Sequence, residues 1–272
     1  MYSFRSPANN MNFRRVKAIL YQEYFVTLRS GEIFADIFIF PFANIIVFGF
    51  ISLYLAGDNP ITGKTVLSGM LLWQVIWIVQ YSVTLGSLWN IWSRNLTNIF
   101  ISPIKVGEYI LAHTLSGIVK AMIVLGLAMV LSIYAFDFNL FEIGFAPLAL
   151  VFINFSLFAY ALGIVLLGLI FRYGTRIQAA AWATVSFFQP LSAAFYPLDV
   201  MPIGLQWFAK LFPATYGFEA ARFALFNDGA IAWNLIGIAF AQNALYCILA
   251  TMVFLALFKK SRDTGQFARN ET

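Results

Sequence analysis

Residues 66–89 read VLSGMLLWQVIWIVQYSVTLGSLW, a run without a single Asp, Glu, Lys or Arg. A helix rises about 1.5 Å per residue, so about 20 apolar residues cross the roughly 30 Å hydrocarbon core of a bilayer. This run is long enough. Its apolar residues are continuous rather than alternating, which argues for a helix over a strand of an outer-membrane barrel. Five further stretches read the same way: Ile33–Ala56, Tyr109–Phe136, Gly144–Phe171, Ile177–Tyr196 and Ala230–Phe258. The expectation is an all-α membrane protein with six transmembrane helices.

The whole chain agrees with that run. Of 272 residues, 61% are hydrophobic and 11% charged, 30 are Phe, and the mean hydropathy is +0.80. A soluble domain is about half apolar and about a quarter charged, so a soluble enzyme and a disordered chain are both excluded. A net charge of +5 is too thin for a nucleic-acid surface, so no nucleic acid is expected as partner. The single Cys247 and single His113 leave no intrachain disulfide, no structural zinc site and no His pair for a zinc protease.

Basic residues orient the spans. Thirteen fall on one side: Arg5, Arg14, Arg15, Lys17 and Arg29 ahead of the first span, Arg94 and Lys105, Arg172 and Arg176, then Lys259, Lys260, Arg262 and Arg269. The other side holds Lys64, Lys210 and Arg222, and Lys120 lies within the third span. The positive-inside rule places both termini in the cytoplasm. The divisions read as a cytoplasmic N-terminal tail with an amphipathic interface helix (1–32), a six-span domain (33–258) and a cytoplasmic tail (259–272). No apolar h-region precedes the first span, so a cleavable leader is not expected. No internal repeat stands out.

Three segments are more than spans or turns. Phe13, Val16, Leu20 and Tyr24 recur at helical spacing among Arg14, Arg15, Lys17 and Glu23, which reads as a helix in the membrane interface. In the loop Ser93–Glu108, Leu96, Ile99 and Phe100 stand against Arg94, Asn95 and Asn98, and Pro103 ends a helix near Ser102. Apolar side chains there call for a partner. The connection 197–229 is too charged for a span and too apolar for a solvated loop. Pro197, Pro202 and Pro213 divide it into short helices that enter the outer leaflet and return, and Glu219 and Arg222 are spaced to pair.

Ionisable residues near or within the spans are Asp36, Glu108, His113 and Lys120, each more readily explained by structural pairing than by a proton relay. Pro41 and Pro190 are expected to kink their helices. Gly63-Lys64-Thr65 imitates the end of a phosphate loop, but the glycine required five residues earlier is Asp58. Asn95-Leu96-Thr97 is a glycosylation sequon on the cytoplasmic side, where it would not be used. On the second span Trp73, Trp77 and Tyr81 recur on one face with Gln74 and Gln80 nearby, a stripe able to line a pathway for a lipid or glycan.

The order of these parts resembles the membrane-spanning subunit of ABC-2 type exporters, the group of polysaccharide and drug-efflux permeases. The resemblance rests on an interface helix before the first span and on Arg94-Asn95-Leu96 through Ser102-Pro103-Ile104 with Glu108-Tyr109-Ile110-Leu111-Ala112. It rests also on Phe195-Tyr196-Pro197-Leu198 through Met201-Pro202, then Phe212-Pro213-Ala214-Thr215-Tyr216 and Glu219. It implies a homodimer, or a heterodimer with a related permease, in the lipid bilayer of a prokaryotic inner membrane. It further implies two copies of a separate ABC ATPase subunit that binds ATP and Mg, while this chain is no enzyme and binds no cofactor. The loop Arg94–Ile104 and the N-terminal helix would carry the ATPase motion, with Glu23 or Arg94 as ion-pairing residues. The outer hairpin, with Tyr216, Glu219 and Arg222, would be a gate. Substrates in the group run from lipid-linked glycans to lipids and drugs. The alternatives are an ion- or proton-coupled carrier, which needs several ionisable groups at mid-membrane, and a membrane-embedded enzyme, which needs clustered acids or His.

Overall fold

A computed structural model describes residues 11–57 and 59–264; the side chains of Thr97, Phe100 and Ala181 also lie outside the described set. The described residues are helical without strands. Helix α1 (Phe13–Arg29) begins at Asn12, whose side chain accepts the Arg14 N–H at 2.9 Å. Next come α2 (Gly31–Phe34), a π turn (Ala35–Ile39) and α3 (Phe40–Ala56), which join into one rod. Pro41 has no N–H to donate and its ring crowds the turn before it. The rod meets it with the π turn, where the Phe40 N–H bonds the Ala35 carbonyl five residues back.

Helix α4 (Pro60–Trp92) has 33 residues, about 50 Å of rise. The short α5 (Leu96–Ile101) precedes α6 (Val106–Phe136), and a 3-10 turn leads into α7 (Phe145–Tyr173). The remainder is α8 (Gln178–Leu191), α9 (Ile203–Ala209), α10 (Pro213–Phe226) and α11 (Trp233–Asp263). Pro60 and Pro213 occupy first turns, where the missing N–H has no intrahelical partner to lose.

Five helical stretches are long and apolar enough to cross a bilayer: Gly31–Ala56, Pro60–Trp92, Val106–Phe136, Phe145–Ala180 and Trp233–Asp263. The expected fifth span, Ile177–Tyr196, differs. Its helix α8 is 14 residues, about 21 Å, and holds Pro190 inside it. The chain then turns through Ala193, whose φ of 53° is left-handed. The last helix runs on through Lys259 to Asp263, so the start of the expected tail is helical.

α4 is the hub. Apolar on every side, it is packed by α3, α6 and α7, with α8 beside it; α11 lies along α7, and α10 touches both. From Thr65 to Ile91 every residue of α4 is buried except Trp77 and Trp89, which are half-buried. Close approach to α6 depends on Gly117, where a Cβ would lie 2.9 Å from that of Ser82.

Both described ends reach one face of the bundle, the terminal face. There the Asn12 N–H bonds Glu108, Asn90 bonds Tyr109, and Arg172 bonds Thr264. At the opposite face Lys64 pairs with Glu142 at 2.7 Å, and Gly144 lies against Gly229. The sides of α6 (Val119, Met122, Ile123, Leu127, Val130) and α11 (Leu245, Ile248, Met252, Leu255) are exposed and apolar, as surfaces against lipid tails are.

Candidate functional site

Trp73, Trp77 and Tyr81 stand at i, i+4 and i+8 on α4 and face the rod of α3, which runs antiparallel to it. Matching turns therefore form layers. Nearest the terminal face, the Tyr81 hydroxyl donates to Asp36 at 2.6 Å. One turn on, Trp77 lines a cavity with Phe40, Pro41 and Asn44, and Trp73 and Gln74 follow along its wall. Met70 from α4 and Ser186 and Gln189 from α8 complete this cavity of about 170 Å³. Asn44, Ser186 and Phe40 are exposed, Trp77 and Gln189 partly so. Among the described residues, none hydrogen-bonds the side chains of Asn44, Ser186 or Gln189. The Gln74 amide donates only over long distances within its own helix, to the Met70 carbonyl at 3.5 Å and the Met70 Sδ at 3.8 Å.

Of the expected stripe, Trp73 and Trp77 line this cavity, while Tyr81 lies a turn outside it on Asp36. Trp73 is 3% exposed and stacks on Phe218 of α10 at 6.1 Å, so its ring serves as wall. Gln80 is buried and donates to Thr84, off that wall. Asn44, Ser186 and Gln189 were missed from the sequence. Their signal is an uncharged polar residue alone among apolar neighbours, which carries no periodicity.

A strap, residues 192–198, crosses α3 and α4 one turn closer to the opposite face. Phe195 stacks on Phe48 of α3 at 4.8 Å. The Ala194 carbonyl lies so close to Gly69 of α4 that a Cβ there would overlap it. Glu219 and Arg222 pair at 2.7 Å, matching their spacing. Glu219 also accepts the Leu198 N–H at 2.9 Å, and Arg222 donates to the Ala194 carbonyl at 3.5 Å. This clasp holds the strap to α10. Pro197, Pro202 and Pro213 each stand at the start of a short helix. Tyr216 is half-buried on α10. The α9–α10 turn is sunk well below the opposite face. Gln242 and Tyr246, two and three turns into α11, donate to the Lys210 and Leu211 carbonyls, each at 2.9 Å.

The terminal face corrects two expectations. Helix α1 turns Val16, Ile19, Glu23 and Thr27 inward, while Phe13 and Tyr24 are exposed and Leu20 is half-buried. Glu23 is 5% exposed and meets Lys120 at 3.1 Å and His113 at 3.5 Å, so it is not free to pair with another subunit. Burial opposes its charge, yet His113 and Lys120 outweigh that and hold the carboxyl well below its usual range, at about 2. Glu108 braces the reverse direction. It accepts the Asn12 and Lys105 N–H groups at 2.8 and 2.9 Å and pairs with Arg15 at 3.5 Å. The exposed face of α1 carries Lys17 over Tyr21 and Arg29 over Phe25 instead.

In α5, Leu96 and Ile99 face inward, 0% and 8% exposed, because this helix packs back on the end of α4. The exposed residues are Arg94, Asn98, Ile101 and Pro103, with Asn95 half-buried. Among the described side chains of α5, Ile101 is apolar and 74% exposed, whereas Leu96 and Ile99 are buried. Phe100 lies in α5, its side chain outside the described set.

Comparison with known proteins fits this layout. A family model described as ABC-2 type transporter matches residues 14–226. The chain is 25% identical over 192 residues to the capsule polysaccharide export inner-membrane protein CtrC of Neisseria meningitidis serogroup A, over 66% of this chain and 68% of that one. It is 28% identical over 106 residues to the capsule polysaccharide export inner-membrane protein BexB of Haemophilus influenzae, a match spanning 39% of each. Because that match covers well over half of the chain, from α1 through α10, this chain belongs to the ABC-2 type transporter family.

Proposed function

We propose that this chain is the permease subunit of an ATP-driven exporter that moves a glycan, free or lipid-linked, out across the cytoplasmic membrane. The observation that carries the reading is the uncovered polar and aromatic face of α3, α4 and α8. Amides and a hydroxyl in the middle of apolar helices are costly against lipid tails, so they belong beside a pathway or a second subunit. The relatives' names point to polysaccharide. In this scheme two permeases, identical or related, close the pathway between such faces. Two copies of a separate ATPase bind ATP and Mg at the terminal face, against Ile101 and its polar neighbours, with Arg94 the exposed candidate for an ion pair.

The terminal face is cytoplasmic in this reading, and six crossings result. Residue 177 follows α7 at the terminal face, whereas Gly229 lies beside Gly144 at the opposite one, so α8 and the sunken hairpin together make the remaining passage. The strap and its Glu219–Arg222 clasp form the outer gate. A carrier driven by an ion gradient is less well supported, because Lys120, the mid-span cation, is occupied by Glu23.

The test is transport in proteoliposomes holding this chain and its ATPase. Export of a fluorescent glycan that needs ATP, and that a proton or sodium gradient alone does not drive, is expected. Transport on an ion gradient without the ATPase would overturn the reading.

A further inference from the structure

We infer that the cavity between α3, α4 and α8 is a binding site for an uncharged, hydroxyl-rich sugar ring, held by Asn44, Gln74, Ser186 and Gln189 against the face of Trp77. The inference rests on the glycan-permease reading and names what its pathway recognises. Three side-chain amides and a hydroxyl converge on one cavity, lined also by Phe40. Three of the four have no hydrogen-bond partner among the described residues, and the fourth, Gln74, has only long contacts to Met70 of its own helix. Polar groups left unpaired in a bilayer-spanning fold are expensive, and a ligand with several hydroxyls satisfies them together. Amides both donate and accept, as sugar hydroxyls do.

The size is suitable for one ring. About 170 Å³ is the liquid volume of roughly six waters. Trp77 is the residue of the central α4 that opens onto this space, and its flat apolar face suits the C–H face of a pyranose. Charge sets the preference. No Lys, Arg, Asp or Glu lines the cavity, and the layer beneath holds Asp36, bonded to Tyr81. An anionic sugar would lose its hydration without meeting a cation, with a carboxylate one helical turn away. A glycan with charged substituents would thus be gripped at its neutral rings.

The experiment uses the full chain in lipid nanodiscs, titrated with maltoheptaose and with maltoheptaose oxidised to carboxylates at C6, following tryptophan fluorescence. Saturable quenching by the neutral sugar is expected, with about tenfold weaker binding of the carboxylated one. Trp77→Phe should reduce the amplitude. Gln74→Leu with Gln189→Leu should weaken neutral binding about tenfold through two lost hydrogen bonds. Gln189→Lys should reverse the preference, a gain that misfolding cannot imitate. Equal binding of both sugars, no saturable binding of either, or unchanged affinity in the double variant would overturn the assignment. ATP-driven transport by the complex reports separately. Transport with no neutral-sugar site sinks this inference alone, whereas neutral-sugar binding with no ATP-driven transport sinks the permease reading and leaves a sugar site without a pathway.

Discussion

At the scale of single residues, two carboxylates cross-brace α1 and α6. Glu23 reaches from α1 to Lys120 and His113 of α6, and Glu108 reaches back from α6 to the start of α1. Removing one partner of a buried pair strands the other, at about 3 kcal/mol. Glu23→Gln is therefore expected to lower the unfolding midpoint in detergent and to expose α1 to protease. Glu23→Gln with Lys120→Met should be milder than either single change, because no lone charge stays buried; equal or worse loss in the double variant would refute the pairing. The carboxyl is depressed, so its contribution is complete above the ordinary value of 4.5 and lost as pH falls through about 2. Protease resistance of α1 should accordingly hold at mildly acidic pH. The sequence announced these ionisable residues but not their partners. Glu23 and Lys120 are 97 positions apart, and nothing local records a contact of that separation.

At the scale of elements, α5 separates a folding role from a docking role. Leu96→Ser places a hydroxyl in a fully buried site and is expected to cost about 2–4 kcal/mol and to lower the yield of folded protein. Ile101→Ser, on an exposed side chain, should leave folding unchanged and reduce copurification with the ATPase several-fold. Normal ATPase capture by Ile101→Ser would remove α5 from the interface. Five long helices were legible because each is a sustained apolar run, which length and composition report directly. α8 was not. Its apolar run continues to Tyr196, yet the helix stops at Leu191, and the chain turns at Ser192 and Ala193 to lay the Ala194 carbonyl beside Gly69. Hydropathy records apolar content and is blind to where a chain turns against a neighbour. The inward faces of α1 and α5 are not legible from sequence for a related reason. A short helix with apolar residues on two sides does not say which side the bundle covers.

For the whole molecule, orientation is the outstanding test, and the composition makes it simple. With Cys247 replaced by Ser, cysteines placed one at a time report sidedness without interference. A cysteine at Glu142 is expected to react with an impermeant maleimide in intact cells. One at Thr264 should react only after lysis. The opposite pattern would invert the assembly and its direction of transport. The basic residues predict this sidedness, and the fold adds that the two positions lie on opposite faces. The cavity itself was half legible: the aromatic stripe is periodic, but the amides that face it come from three separate helices.

The three walls of that cavity differ in stiffness. The rod of α3 contains a π turn, α8 contains Pro190, and α4 runs unbroken for 33 residues, longer than a bilayer is thick. An unbroken rod of that length behaves as a lever rather than a hinge. A displacement at its end beside α5 is carried along the rod like motion along a seesaw, past Gly69 more than two turns from the other end, where α4 bears on the strap.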